Sequence, residues 1–201
     1  MKKVLITAFD PFGGESINPA LEAVMLLPDE LDEIKIIKQE LPTIFSNSAD
    51  VLCKTLELER PDALISVGQA GGRVNISVER VAINIDDARI PDNDGAIRTD
   101  TPIVKGAPAA YFSTLPIKTI IRNLHQAGIP AAVSDSAGTF VCNHVMYTAL
   151  HYGAINQPEL KAGFVHIPYT PIQTVDKPKM PSMSTENVLE GLKIIIKTAV
   201  K

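Results

Sequence analysis

Two cysteines and four histidines are the side chains of this 201-residue sequence best suited to nucleophilic attack or proton transfer near neutral pH. Cys142 stands out by its setting. It lies in Ser136-Ala137-Gly138-Thr139-Phe140-Val141-Cys142-Asn143-His144, where a small-residue turn follows an apolar run ending near Ser134 and a helical pattern begins. A thiol in the first turn of a helix sits beside unpaired backbone N–H groups and the positive end of the helix dipole. Both favour the thiolate, which is the reactive form. The same N–H groups can hold an oxyanion. The competing reading of Cys142 is a small buried apolar side chain. Cys53, inside an amphipathic helical pattern with no special turn, reads as structural.

A cysteine nucleophile needs a base for its proton and an acid for the leaving group, and histidine can be both. His166 lies near the end of the apolar run Gly163-Phe164-Val165-His166-Ile167-Pro168, and functional groups in α/β sheets collect at strand ends. Its alternative is a core histidine bonded to backbone. His125 and His151 fall among polar neighbours on helical patterns and read as surface residues. His144, two residues from Cys142, points elsewhere on a helix and reads as structural. An imidazole base needs a third group to fix its tautomer. Glu79 lies in 75–85, which reads as one strand, and alternation places it on the face of Val81, Ile83 and Ile85. A carboxylate on an apolar face requires a partner. A histidine would serve, and so would an ion pair with Arg80 or Arg89. Zinc ligation by Cys142, His144 and His166 is a rival use of the same groups. Their spacing matches no common zinc pattern, so no metal is expected. The segments Phe12-Gly13-Gly14 and Ala70-Gly71-Gly72-Arg73 match neither common phosphate-loop pattern.

The elements that must position these groups alternate along the chain. Strands are expected at 3–8, 34–41, 62–67, 75–85, 131–134 and 162–167. Helices are expected from Asn18-Pro19 to Pro28, at 48–58, 116–127 and 141–152, and after a Ser184 cap. Residues 86–115 follow no period and are rich in proline, glycine and aspartate, as in a functional cover or a hairpin that the pattern does not place. The alternation predicts an α/β fold in one domain spanning 1–201, with a central twisted sheet, expected to be mixed, and helices on both faces. Apolar residues make up 45% of the chain and charged residues 21%, enough for a sizeable core. The net charge is −4 and the basic residues are scattered, which disfavours nucleic acid. No apolar run is long enough for a membrane-spanning helix. Asp10 interrupts the first apolar run and no cleavage site follows, so that run reads as a strand rather than an export signal. Free thiols in the reducing cytoplasm are the corresponding expectation for Cys53 and Cys142.

Several segments together resemble the pyroglutamyl peptidase type I (pyrrolidone carboxyl peptidase) family. Gly68-Gln69-Ala70-Gly71-Gly72-Arg73, continuing to Glu79-Arg80-Val81-Ala82-Ile83-Asn84, is similar to the family's glutamate signature. The segment around Cys142 is similar to its cysteine signature, and that around His166 to its histidine segment. Phe9-Asp10-Pro11-Phe12-Gly13-Gly14 with Asn18-Pro19, and Asp86-Asp87-Ala88-Arg89-Ile90-Pro91-Asp92-Asn93, also resemble the family. The resemblance implies a thiol peptidase that removes N-terminal pyroglutamate through a thioester. Cys142 would be the nucleophile, His166 the general acid and base, and Glu79 the orienting carboxylate. Arg89 would help hold the oxyanion. Phe9, Phe12, Ile90, Phe140 and Val141 would form the lactam pocket, with Gln69 among the substrate-binding residues. It further implies an α/β/α sandwich, a homotetramer and no metal or organic cofactor. Two rivals remain at this point: a catalytically silent binding protein on the same fold, and a different α/β enzyme of the nucleoside phosphorylase kind.

Overall fold

The computed structural model describes residues 1–201. Its elements run β1 (Lys2–Phe9), α1 (Pro19–Met25), β2 (Glu30–Leu31), β3 (Ile34–Leu41), α2 (Phe45–Glu59), β4 (Ala63–Gln69), β5 (Ile76–Glu79), β6 (Val81–Ile83), β7 (Ala110–Phe112), α3 (Ile117–Gln126), β8 (Ala131–Ser134), α4 (Val141–Asn156), β9 (Lys161–Ile167), α5 (Pro171–Thr174) and α6 (Thr185–Ala199). Seven strands form one sheet in the order β2-β3-β1-β4-β9-β5-β8. The pairs β1–β3, β1–β4, β4–β9 and β5–β8 are parallel, whereas β5–β9 and β2–β3 are antiparallel, so the sheet is mixed as expected.

The near-continuous apolar composition of the central strands follows from burial on both sides. In β1, Val4, Ile6 and Ala8 enter a core with α1, α3 and α6, while Leu5 and Phe9 enter a second core with α2 and α4. The same alternation sends Leu64 and Phe164 to the α2–α4 side and Ile65 and Val165 to the other. The result is three layers, helices–sheet–helices.

The structure corrects the sequence reading in three places. The strand expected over 75–85 breaks at Arg80, whose N–H bonds to the Ser134 carbonyl. Only β5 belongs to the main sheet, and β6 turns away to pair with β7 as a two-stranded ribbon. The ribbon brackets the irregular segment, with β6 before it and only β7 inside it. Continuous alternation from Glu79 to Ile83 therefore does not exist, and Ile83 is exposed.

Helix α2 begins at Phe45, three residues before the expected Ser48. Its N-cap residue, Ile44, has no side chain able to cap. The missing acceptor comes from far along the chain: Asp92 Oδ2 accepts from the Phe45 N–H (3.1 Å), while Asp92 Oδ1 accepts from the N–H groups of Asp94 and Ala96. One buried carboxylate thus caps a helix and shapes a loop. His151, read as a surface residue, is half-buried, stacked on Tyr147 and bonded to the Tyr111 hydroxyl through Nδ1 (2.9 Å).

Asp92→Ala removes the acceptor of three backbone N–H groups. It is expected to cost about 2 kcal/mol, read as a lower urea midpoint at unchanged slope. An unchanged midpoint would contradict the capping role.

Candidate active site

Alternation along three strands builds the floor of the site. In register, Gly68 on β4 lies beside His166 on β9, and His166 beside Ser77 on β5. Two residues beyond Ser77, Glu79 faces the same α4 side and pairs with Ser134 of β8. Glu79 is fully buried and His166 is nearly so, at 0% and 4% exposure. His166 Nδ1 lies 2.7 Å from Glu79 Oε1. A carboxylate there makes Nδ1 the protonated nitrogen, which leaves Nε2 with a free lone pair.

Cys142 is the second residue of α4 and is half-buried. Its Sγ lies over Gly68, 3.3 Å from where a Cβ on that glycine would stand. Gly68 is the residue registered against His166, so thiol and imidazole share one corner of the sheet. The absence of a side chain at Gly68 is what admits both the sulfur and the Phe164 ring. That ring also packs on His166 (centroids 4.7 Å) and stacks on Phe9 (6.3 Å). No side chain caps α4, since its N-cap is Phe140. The first-turn N–H groups around Cys142 therefore stay available to a ligand oxygen.

The approach to Cys142 is anchored on several sides. Thr139 and Asp87 exchange two hydrogen bonds, the Asp87 N–H to the Thr139 carbonyl and the Thr139 hydroxyl to the Asp87 carbonyl. Asn143 bonds through its side chain to Ile83 and Ile85, pinning the start of α4 to the β6 ribbon. His144 turns away from Cys142: its Nδ1 faces both oxygens of buried Asp86 at 2.9 and 3.1 Å, and Arg98 completes that cluster. The trio Cys142, His144 and His166 thus does not converge as a ligand set.

The cation that accompanies Glu79 is neither Arg80 nor Arg89. Arg80 faces Asp135 (2.9 Å) and Arg89 lines a cavity. Arg73 takes the place, with Nη1 2.8 Å from Glu79 Oε1 and Nη2 3.3 Å from the Ser136 carbonyl. Sequence reasoning missed this role because Arg73 read as the end of a glycine-rich loop. The available signal was a lone guanidinium six residues before a buried carboxylate.

Burial pulls the charges in opposite directions. For Glu79, burial alone would raise the carboxyl pKa, but the His166 bond and charge, the neighbouring Ser134 hydroxyl and Arg73 outweigh it and hold it below its ordinary value. His166 is lowered, chiefly by burial, with Arg73 acting in the same sense and Glu79 against. The Cys142 thiol is pushed up to about 12 by burial and by the Glu79 charge, against Arg73 and its own backbone N–H. Burial and the Glu79 charge thus work against the thiolate that the helix N-terminus favours, and burial likewise works against a charged imidazole.

Arg89, Ile90 and Phe140 share a cavity of about 650 Å³ with Asp87 and the Ala137–Gly138–Thr139 turn. Phe9 and Val141 are buried and Phe12 is half-buried in the turn after β1, and none of the three lines this cavity. Gln69 Oε1 accepts from Gln173 Nε2 (2.9 Å), which ties it to α5.

A model of the pyroglutamyl peptidase family matches residues 2–201. The pyrrolidone-carboxylate peptidase of Alkaliphilus oremlandii is 51% identical over 99% of this chain and 93% of its own length. That of Thermococcus onnurineus is 53% identical over 99% of both. The crystal structure of Bacillus amyloliquefaciens pyroglutamyl peptidase I superposes with a TM-score of 0.95 at 48% identity, covering 100% of this chain and 97% of that one. A mutant pyrrolidone carboxyl peptidase from Pyrococcus furiosus gives the same TM-score and identity over 98% of each chain.

In Gly68→Ala the new Cβ would stand 2.9 Å from two Phe164 ring carbons and 3.3 Å from Cys142 Sγ. Displacing the thiol is expected to lower any Cys142-dependent turnover by about a hundredfold and stability by about 1–3 kcal/mol. Wild-type rate and melting temperature in this variant would contradict the packing described.

Proposed function

The chain belongs to the pyroglutamyl peptidase family, and from that premise we propose that it is a cysteine peptidase removing N-terminal pyroglutamate from peptides, with Cys142, His166 and Glu79 as its catalytic residues. The observation that carries the residue assignment is the buried 2.7 Å contact between His166 and Glu79, set where Cys142 opens α4.

The reaction begins with a neutral thiol. As Sγ attacks the carbonyl that follows the lactam ring, its proton passes to His166 Nε2, and Glu79 stabilises the imidazolium through Nδ1–H. The carbonyl oxygen gains negative charge and is held by first-turn N–H groups of α4, with Arg89 assisting from the cavity wall. Collapse breaks the C–N bond. The imidazolium gives its proton to the departing amine and leaves a thioester on Cys142. His166 then takes a proton from water, the hydroxide displaces sulfur, and pyroglutamate leaves as the thiol is restored. No metal or organic cofactor enters any step.

The pocket chemistry suits a small uncharged lactam. Phe140 and Ile90 offer apolar walls, while Arg89 and the turn backbone offer polar partners. A free N-terminal ammonium would enter this setting at a cost of several kcal/mol unless paired. Phe9, Phe12 and Val141 are assigned to the pocket by the family resemblance alone, and Gln69 acts through its bond to Gln173. The same reading extends to a homotetramer in the cytoplasm. Two free cysteines suit a reducing compartment, and exposed apolar side chains such as Phe112 and Ile172 offer surface that partner copies would cover. No helix is long and apolar enough to cross a membrane.

The test is hydrolysis of a pyroglutamyl amide with a fluorescent leaving group, alongside its prolyl counterpart. Wild type is expected to cleave the first and spare the second, which lacks the ring carbonyl. Cys142→Ser is expected to lose about a thousandfold or more. Because His166 must be neutral to accept the thiol proton and burial lowers its pKa, the acid limb of kcat/KM should fall below the ordinary histidine value of 6.5. As pH drops through that limb the imidazole protonates and the base is lost. No cleavage by folded, reduced wild type would overturn the function, and an acid limb above 6.5 would overturn the electrostatics.

A further inference from the structure

Glu79 has no exposed surface, yet only one of its oxygens is clearly engaged. Oε1 receives both His166 Nδ1 and Arg73 Nη1, whereas Oε2 is buried without a hydrogen-bond partner. A buried carboxylate keeps its charge only if it is compensated. Neutral His166 supplies a hydrogen bond, and adds charge only once it is protonated. Arg73 is the permanent cation of the site, and its side chain is 29% exposed, so it reaches the carboxylate from the rim.

The guanidinium also bridges two parts of the site. Its Nη2 donates to the Ser136 carbonyl, which accepts the Ser134 hydroxyl as well (3.2 Å). Ser136 opens the turn that leads into α4 and Cys142. One planar fork therefore fastens the carboxylate behind the imidazole to the turn in front of the thiol. Lysine, a point charge, could hold only one of these at a time.

We propose that Arg73 is a positioning residue for the peptidase reaction: it holds Glu79 in place behind His166 and locks that pair to the turn that presents Cys142. The proposal rests on the catalytic reading above and deepens it. Arg73 also contributes to the electrostatics of both reacting groups. The charges that act on His166 are Glu79 from β5 and Arg73 from the loop after β4, and the same two charges act on Cys142 from α4. Arg73 lowers the proton affinity of each, whereas Glu79 raises it.

The experiment compares Arg73→Gln and Arg73→Lys with wild type by kcat, KM and full pH–rate profiles, with the His166 ring titrated by NMR in all three. The Cys142–His166 pair works with one shared proton. The acid limb marks the second proton arriving on His166, and the alkaline limb marks the only proton leaving. Without the cation both affinities rise, so in Arg73→Gln both limbs should move to higher pH and the NMR titration should follow the acid limb. Its kcat is expected to fall by about tenfold to a hundredfold with KM within about threefold. Arg73→Lys should keep the wild-type limbs and NMR titration while kcat falls, because charge remains and the bridge to Ser136 is gone. A merely structural arginine would lower amplitude or melting temperature and leave both limbs in place, which would overturn the proposal. So would limbs that move in Arg73→Lys as far as in Arg73→Gln. Inactive wild type would instead defeat the peptidase reading, while the NMR titrations would still decide whether Arg73 controls His166.

Discussion

A carboxylate sealed from water has to find its partners inside the protein, and Glu79 finds them on two separate pieces of chain. His166 comes from β9 and Arg73 from the loop after β4. Each contact has a polar cost if broken, because a lone buried charge is worth several kcal/mol of destabilisation. The strands are therefore registered not only by apolar packing but by the demand to satisfy one anion. The insertion of β5 between β9 and β8, antiparallel to the first and parallel to the second, is what brings that anion to the imidazole.

A similar demand organises the far side of α4. Asp86 is as buried as Glu79, and it too gathers a histidine and an arginine, His144 and Arg98. Arg98 lies over the Phe45 ring and bonds to Ser46, and so carries the constraint into the start of α2, where Asp92 provides the cap. These contacts explain why a segment with no periodicity is nonetheless well held. Residues 86–98 are fastened by buried carboxylates together with a short backbone bridge from Asp86 to Thr101, and they bring Arg89 and Ile90 to the cavity beside the Cys142 turn.

Much of this was legible in the sequence where packing follows a period. The apolar strand runs alternating with helical patterns along the chain pointed to the layered α/β fold, and the turn before Cys142 marked the entry to α4. What period could not convey were contacts set by long-range polar satisfaction. The strand break at Arg80 comes from a backbone bond to Ser134. The early start of α2 depends on Asp92, 47 residues away. The identity of the Glu79 cation was hidden for the same reason: Arg80 and Arg89 carry the right charge, but only the loop geometry after Gly68 aims Arg73 at the carboxylate. For the thiol, the helix N-terminus legible in the sequence favours a thiolate, whereas the burial and the Glu79 charge that oppose it come from the fold.

The central claim is that the charge on Glu79, not merely its shape, makes His166 a competent base for Cys142. Glu79→Gln keeps the volume and removes the charge, and kcat for a pyroglutamyl amide is the quantity to measure. The account predicts a folded protein whose kcat falls by about a thousandfold at nearly unchanged KM. A kcat close to wild type in this variant would contradict it.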